Sequence, residues 1–300
     1  MRHRAPLPSL IPLLLTLGLG ACRAEQEAAP RQPAEPRPGR RVIATFEPLA
    51  FLVREMAPAG TSVTCLTPAG ADPHDLELTP GDVTALLEVD LVVTLHGLQP
   101  AVDRVLARRL APTFDALAVP DLGVLSTGTG AVDPHVWLDP LRFARVAWAL
   151  GPLLGPDADP QATYSRLEAL DRQLEAALGS CEHRRLVTAH AAFGYLCDRY
   201  GFEQVALGGF DPEGEPTPRD LARLVAEAKE SGTGVVFGDR RTPSSVIETL
   251  AREAGAETAL LHTLESLSAE EVAAGKDYYA VMRENLAVLV EVLECRQPSS

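Results

Sequence analysis

Short apolar runs rich in Val and Thr alternate along most of the chain with longer stretches whose apolar positions recur every three or four residues. The runs are RVIATF (41–46), SVTCL (62–66), DLVVTL (90–95), RLVTAH (185–190), GVVFGD (234–239) and ETALL (257–261), and their brevity and β-branched content predict strands. PGDVTALLEV, PRDLARLVAEAKESG and SSVIETLAREAG lie between them and predict helices, the last two closing on Gly. This alternation predicts parallel sheets with helices on both faces. It breaks between about Pro140 and Gly179, where LRFARVAWALGPLL is followed by the breaker GPDADP and then by QATYSRLEALDRQLEAALG. A helix of roughly 19 residues would span about 28 Å, which suits a rigid strut. The expected fold class is therefore α/β: two lobes, each a short parallel sheet flanked by helices, joined by a long rigid backbone helix. The expected division is a leader at 1–22, a tether at 23–41, an N-terminal lobe at 42–159, a connecting helix at 160–180 and a C-terminal lobe at 181–300.

The leader follows the order of a secretory signal: basic MRHR, the apolar run LPSLIPLLLTLGLGA, then small residues before Cys22. That run is short and broken by Pro, which argues against a membrane span. LGAC resembles a lipobox, in which Cys22 would be acylated and become the new N-terminus. Residues 23–41 are Pro, Ala, Glu and Arg with hardly an apolar side chain, the composition of a tether between an anchor and a domain.

The 300 residues are 46% apolar and 23% charged, an ordinary soluble balance, with a net charge of −14. Residues 1–41 hold seven Arg and three Glu, so 42–300 carry −18. Such an acidic body does not track a phosphate backbone, where Lys and Arg replace condensed cations. It suits binding of a cation, and no nucleic-acid partner is expected. Export puts cysteine in an oxidising compartment. Beyond Cys22 the thiols are Cys65, Cys181, Cys197 and Cys295, which permit three full pairings or one bridge with two buried thiols. Cys65 sits in an apolar run and reads as a core thiol. Cys295 is the favoured bridge member because a disulfide there would pin the last helix, with Cys181 as the candidate partner.

Histidine sharpens the reading. His96, His190 and His262 end or directly follow predicted strands, while His74 lies in AGADPHD and His135 in VDPHVWLDP. In parallel α/β sheets ligands bind outside the carboxyl ends of the strands, so five histidines are expected near one edge; His183, in the polar run CEHRR, reads as a surface residue. His74 and His135 share the frame Asp-Pro-His, with Pro stiffening the turn and Asp72 or Asp133 free to orient a ring or cap a helix. Imidazoles converging from several loops suit zinc in tetrahedral geometry.

PAGADPHDLELTPGDVTALLEVDLVV, DPHVWLDP, VTAHAAFGYLCDRYGF, EPTPRDLARLVAEAKESGTGVVFGD, SSVIETLAREAGAE and YYAVMRENL occur in that order. Over about 42–295 the chain resembles the ZnuA/TroA-like zinc- and manganese-binding solute-binding lipoproteins of ABC-type metal importers. The resemblance implies two lobes bridged by a backbone helix, with one metal in the cleft. It also implies ligands at the positions matching AGADPHD, DPHVWLDP and HAAFGY, which are His74, His135 and His190; a His at the third position goes with zinc and a Glu with manganese. The family's fourth ligand is commonly an Asp shortly after the last strand, where this sequence reads LHTL. His262 is accordingly expected as the fourth ligand, with water or Glu265 as the alternative. His96, Glu265, Asp133 and Asp239 are expected to support the ligands or to add one. The stretch 97–132 has no His, so the His-rich collecting loop of some zinc-uptake members is absent.

The implied function is extracytoplasmic capture of Zn2+ and delivery to the permease of an ABC importer, by a monomer lipid-anchored through Cys22 on the cell surface or a periplasmic membrane face. The cargo is expected to be zinc, with manganese or iron as alternatives. A zinc hydrolase using Glu265 as general base is a competing reading, but neither H-E-x-x-H nor G-x-S-x-G occurs. A surface adhesin on the same fold is the third.

Overall fold

The computed structural model describes residues 39–126, 130, 132–206, 218–230, 234–239 and 244–296. The leader, Cys22 and nearly all of the tether lie outside the described residues. Six strands form where the apolar runs stand: β1 (Arg41–Ala44), β2 (Ser62–Cys65), β3 (Leu91–Thr94), β5 (Arg185–Thr188), β7 (Val235–Gly238) and β8 (Glu257–Leu260). Two more, β4 (Thr113–Asp115) and β6 (Glu203–Ala206), were not expected from the sequence. Both are edge strands, and TFD and EQVA are too short and too polar to register as apolar runs.

Among the described residues the strands pair in parallel, in two four-stranded sheets of order β2-β1-β3-β4 and β6-β5-β7-β8. The two halves therefore repeat one topology. In each, the first strand lies inside the sheet with its successor on one side and the third strand on the other. The winding reverses between β1 and β3 and between β5 and β7, and crevices open there at the carboxyl ends of the strands.

Side-chain alternation gives each sheet two buried faces. Val42, Ala44, Leu91 and Val93 enter the main core, whereas Ile43 and Val92 pack with Leu86 of α2 (Pro80–Glu88) and Val102 of α3 (Pro100–Leu106). Leu186 and Phe237 likewise face the main core. Val187 and Val236 turn to the other side, toward Ala228 of α7 (Pro218–Glu230) and Leu250 of α8 (Ser244–Ala254). Two-sided burial is why these strands read as continuous apolar runs rather than alternating ones.

The main core runs through α1 (Glu47–Met56), α4 (Pro140–Leu154), α5 (Pro160–Leu178), α6 (Gly194–Tyr200) and α10 (Tyr278–Val292). Asp159 starts α5 by accepting the Ala162 amide at 2.9 Å, and Pro160 takes the first helical position. Leu167, Leu170, Leu174 and Leu178 give the helix one apolar side, against which α4, α1 and α10 pack. Gly151 lets α4 meet the start of α5 closely; a Cβ there would fall 2.5 Å from Pro160 Cγ. Asp171 is buried in the same helix because Arg199 (2.7 and 2.8 Å) and the Tyr200 hydroxyl (3.1 Å) satisfy its carboxylate. The start of α10 packs on residues of the first half: Tyr278 stacks on Phe51 at 5.3 Å and donates its hydroxyl to the Trp137 carbonyl at 2.7 Å. A disulfide joins Cys181 to Cys295, closing a loop of 114 residues. Among the described residues no helix is long and apolar enough to cross a membrane.

Candidate metal centre

Both Asp-Pro-His segments form the same local turn. Asp72 Oδ1 accepts the His74 amide at 2.9 Å, and Asp133 Oδ1 accepts the His135 amide at 2.9 Å; each aspartate thus fixes the backbone that carries its histidine. His74 projects from the loop after β2, and His135 from the turn leading into α4. Asp133 also accepts from His135 Nδ1 at 2.8 Å, which directs Nε2 inward. The Tyr195 hydroxyl steadies this second turn by donating to the Asp133 carbonyl at 3.0 Å.

The second half supplies His190 and Glu265. His190 follows β5 and Asp239 follows β7, and because those strands are neighbours the two side chains meet across the crevice, His190 Nδ1 bonding Asp239 Oδ2. Gln204 on β6 props the same loop by donating to the His190 carbonyl at 3.1 Å. Glu265 lies in the loop after β8, only 2% exposed. Its Oε1 stands 3.2 Å from His74 Nε2, 3.0 Å from His135 Nε2 and 3.9 Å from His190 Nε2. Its Oε2 accepts from the Thr263 hydroxyl at 3.0 Å.

Donor atoms of His74, His135 and Glu265 all lie within 4.8 Å of one another, the metal-competent group found among the described residues. Two ligands on one tetrahedral zinc at about 2.0–2.1 Å stand about 3.4 Å apart, a separation that the three Glu265-to-imidazole distances of 3.0, 3.2 and 3.9 Å bracket. The His135 ring is wholly buried, and burial disfavours its charged form. The bonds to Asp133 and Glu265, with their negative charge, outweigh that and push the imidazole up to about 9.

Residues 42–292 match the family described as "Zinc-uptake complex component A periplasmic". The chain belongs to this family. It is 31% identical over 277 residues to the high-affinity zinc uptake system protein ZnuA of Bacillus subtilis, a match covering 84% of this chain and 87% of that protein. It is 28% identical to the zinc-binding lipoprotein AdcA of Streptococcus pneumoniae over 97% of its own length but spans only 61% of AdcA. The Zn(II)-bound ZnuA-like domain of that AdcA shares the fold at a TM-score of 0.72 and 29% identity, covering 85% of this chain and 99% of the domain.

Within this zinc-uptake family member, the structure brings His74, His135 and His190 together around Glu265, with Asp133 and Asp239 behind two of the rings. Two of the candidate histidines are placed apart from these side chains. His262 does not join the group: its Nδ1 accepts the Leu264 amide at 2.8 Å, and its Nε2 lies 3.6 Å from Glu271 Oε2. Glu265 takes the place among the rings because the chain reverses at Leu264, whose φ of 64° is left-handed. His96 does not support the ligands. It is exposed, and its Nδ1 pairs with Asp103 of α3 at 3.2 Å after the chain turns at Gly97. A cavity of about 420 Å³ lined by Asp72, His262, Thr263, Glu265 and Ser268 opens beside Glu265. The disulfide described above accounts for Cys181 and Cys295; Cys65 and Cys197 are free thiols, Cys197 fully buried and Cys65 partly.

Proposed function

We propose that this chain captures Zn2+ outside the cytoplasm on His74, His135, His190 and Glu265 and delivers it to an ABC-type importer. The observation that carries the reading is the convergence of three imidazoles on one buried carboxylate at spacings suited to a tetrahedral ion. The aspartates behind His135 and His190 hold the Nδ1 positions, so both rings present Nε2 to the ion and gain basicity. A majority of nitrogen donors favours zinc over manganese, in keeping with the zinc-related names of the relatives. Four protein donors fill a tetrahedral shell and leave no position for a reactive water, so the chain acts as a carrier rather than a catalyst.

The cavity beside Glu265 is the route of entry and exit. Its walls are loop residues, whereas α5 is packed on four helices, α1, α4, α6 and α10; release therefore proceeds by loop displacement, with α5 limiting any larger opening. Partners are the permease and ATPase of the importer, and Cys22 with the 23–41 tether holds a monomer at the membrane face.

Elemental analysis with competitive Zn2+ titration tests this. One zinc per chain, lost on substitution of Glu265 or His190 by Ala, is the expected result. Stoichiometric zinc in both variants with unchanged affinity overturns the ligand set.

A further inference from the structure

We propose that His262 is a positioning residue for Glu265: its imidazole holds the left-handed turn that aims the carboxylate into the metal site. The inference rests on Glu265 being a ligand and adds a role for a residue outside the ligand set.

β8 ends at Leu260, and the chain must reverse before Glu265 can face the rings. It does so at Leu264, with φ 64°, a conformation that an L side chain other than Asn or Asp seldom adopts unless its surroundings impose it. Four contacts impose it here. Asn285 of α10 pins the start of the turn, accepting the His262 amide and donating to the His262 carbonyl, both at 2.8 Å. Trp137 Nε1 donates to the Thr263 carbonyl at 2.7 Å. His262 Nδ1 then accepts the Leu264 amide at 2.8 Å, closing the reversal as an aspartate or asparagine side chain closes its own turn. Finally the Thr263 hydroxyl takes Glu265 Oε2 at 3.0 Å, which leaves Oε1 directed at His74 and His135. Trp137 and Asn285 fix where the loop lies; the imidazole fixes which way it reverses.

A lone pair used on a backbone amide is not available to a metal, so Nδ1 cannot ligate while the turn stands. Its Nε2 lies 3.6 Å from Glu271 Oε2, which separates the role of His262 from that of the other three imidazoles, whose Nε2 atoms face Glu265. The chemistry also states which side chain can replace it. Asn at 262 would place Oδ1 where Nδ1 stands and accept the same amide; Ala would not.

The test compares full-length wild type, His262→Asn, His262→Ala, Glu265→Ala and the Ala/Ala double variant by competitive Zn2+ titration and by the visible absorption of the Co2+ forms. Thermal unfolding checks that each is folded. Expected are zinc binding by His262→Asn within about threefold of wild type, and a loss of about 10- to 100-fold for His262→Ala with altered Co2+ bands. The double variant should bind no more weakly than Glu265→Ala alone, because His262 acts through the carboxylate. Wild-type affinity in His262→Ala overturns the inference. So does a His262→Asn protein as weak as His262→Ala with additive losses in the double variant, the pattern of a direct ligand. Wild-type affinity in Glu265→Ala refutes the ligand set itself, a separate outcome.

Discussion

Zinc capture should expel the proton held on His135. The ring lies between Asp133 at 2.8 Å and Glu265 at 3.0 Å, and its imidazole is raised to about 9 from an ordinary value of 6.5. Burial works against that charge, and the two carboxylates more than offset it. In the metal-free protein at pH 7.5 the ring is therefore almost fully protonated, and each Zn2+ bound there should release about one proton from it. Since metal and proton compete for the same ring, affinity should tighten about tenfold per pH unit, or about 100-fold between pH 6.5 and 8.5. The stability of the metal-free fold runs the other way. A raised pKa contributes its full stabilisation below about 6.5 and loses it as pH rises through about 9, so zinc protection against unfolding should grow with pH. Titration calorimetry at pH 7.5 in buffers of different ionisation enthalpy counts the protons directly. Asp133→Asn, which removes one of the two carboxylates, should bring the count well below one and weaken zinc about tenfold at pH 8.5. A wild-type count under about 0.3, with the same affinity at pH 6.5 and 8.5, would refute proton–metal exchange at His135.

Glu265→Gln keeps the shape of the side chain but removes the anionic donor, and should weaken zinc about 100-fold, about 2.7 kcal/mol by competitive titration. Gly194→Ala should lower zinc affinity while the fold persists, because the new Cβ would lie 2.5 Å from Asp133 Oδ2 and push the carboxylate away from His135; titration beside circular dichroism checks both halves. Reduction of the Cys181–Cys295 disulfide, whose ends are 114 residues apart, should cost about 4–5 kcal/mol in the chain-entropy account, read from denaturant unfolding with and without reductant. In the folded protein Cys65, whose thiol burial pushes up to about 12, and Cys197, pushed up more strongly still, should resist thiol reagents at pH 7.5.

Much of this architecture was legible because it depends on local chemistry. Strands buried on both faces must be apolar throughout, so β1, β3, β5 and β7 stand out; β4 and β6, three and four residues at the sheet edges, carry too little apolar surface to do so. The Asp-Pro-His segments declare themselves because the turn is made by the residues that spell it. The fourth position is harder to read for the opposite reason. His262 and Glu265 both follow β8, and imidazole is the more familiar zinc donor. Which of them reaches the rings is decided by a reversed φ at Leu264 and by Asn285 and Trp137, distant in sequence. One signal was present: Glu265 is the sole carboxylate between the end of β8 and α9 (Ala269–Ala273), beside a site otherwise built from imidazoles. His96 shows the converse limit. A histidine after a strand of the right sheet is still directed by its own turn, and Gly97 turns it to Asp103 and solvent.

Anomalous diffraction at the zinc edge, from crystals of the protein grown with equimolar Zn2+, tests the central claim most directly. The account predicts one strong peak about 2.0–2.1 Å from a carboxylate oxygen of Glu265 and from Nε2 of His74, His135 and His190. A peak coordinated by His262 in place of Glu265, or lying away from these four side chains, would contradict it.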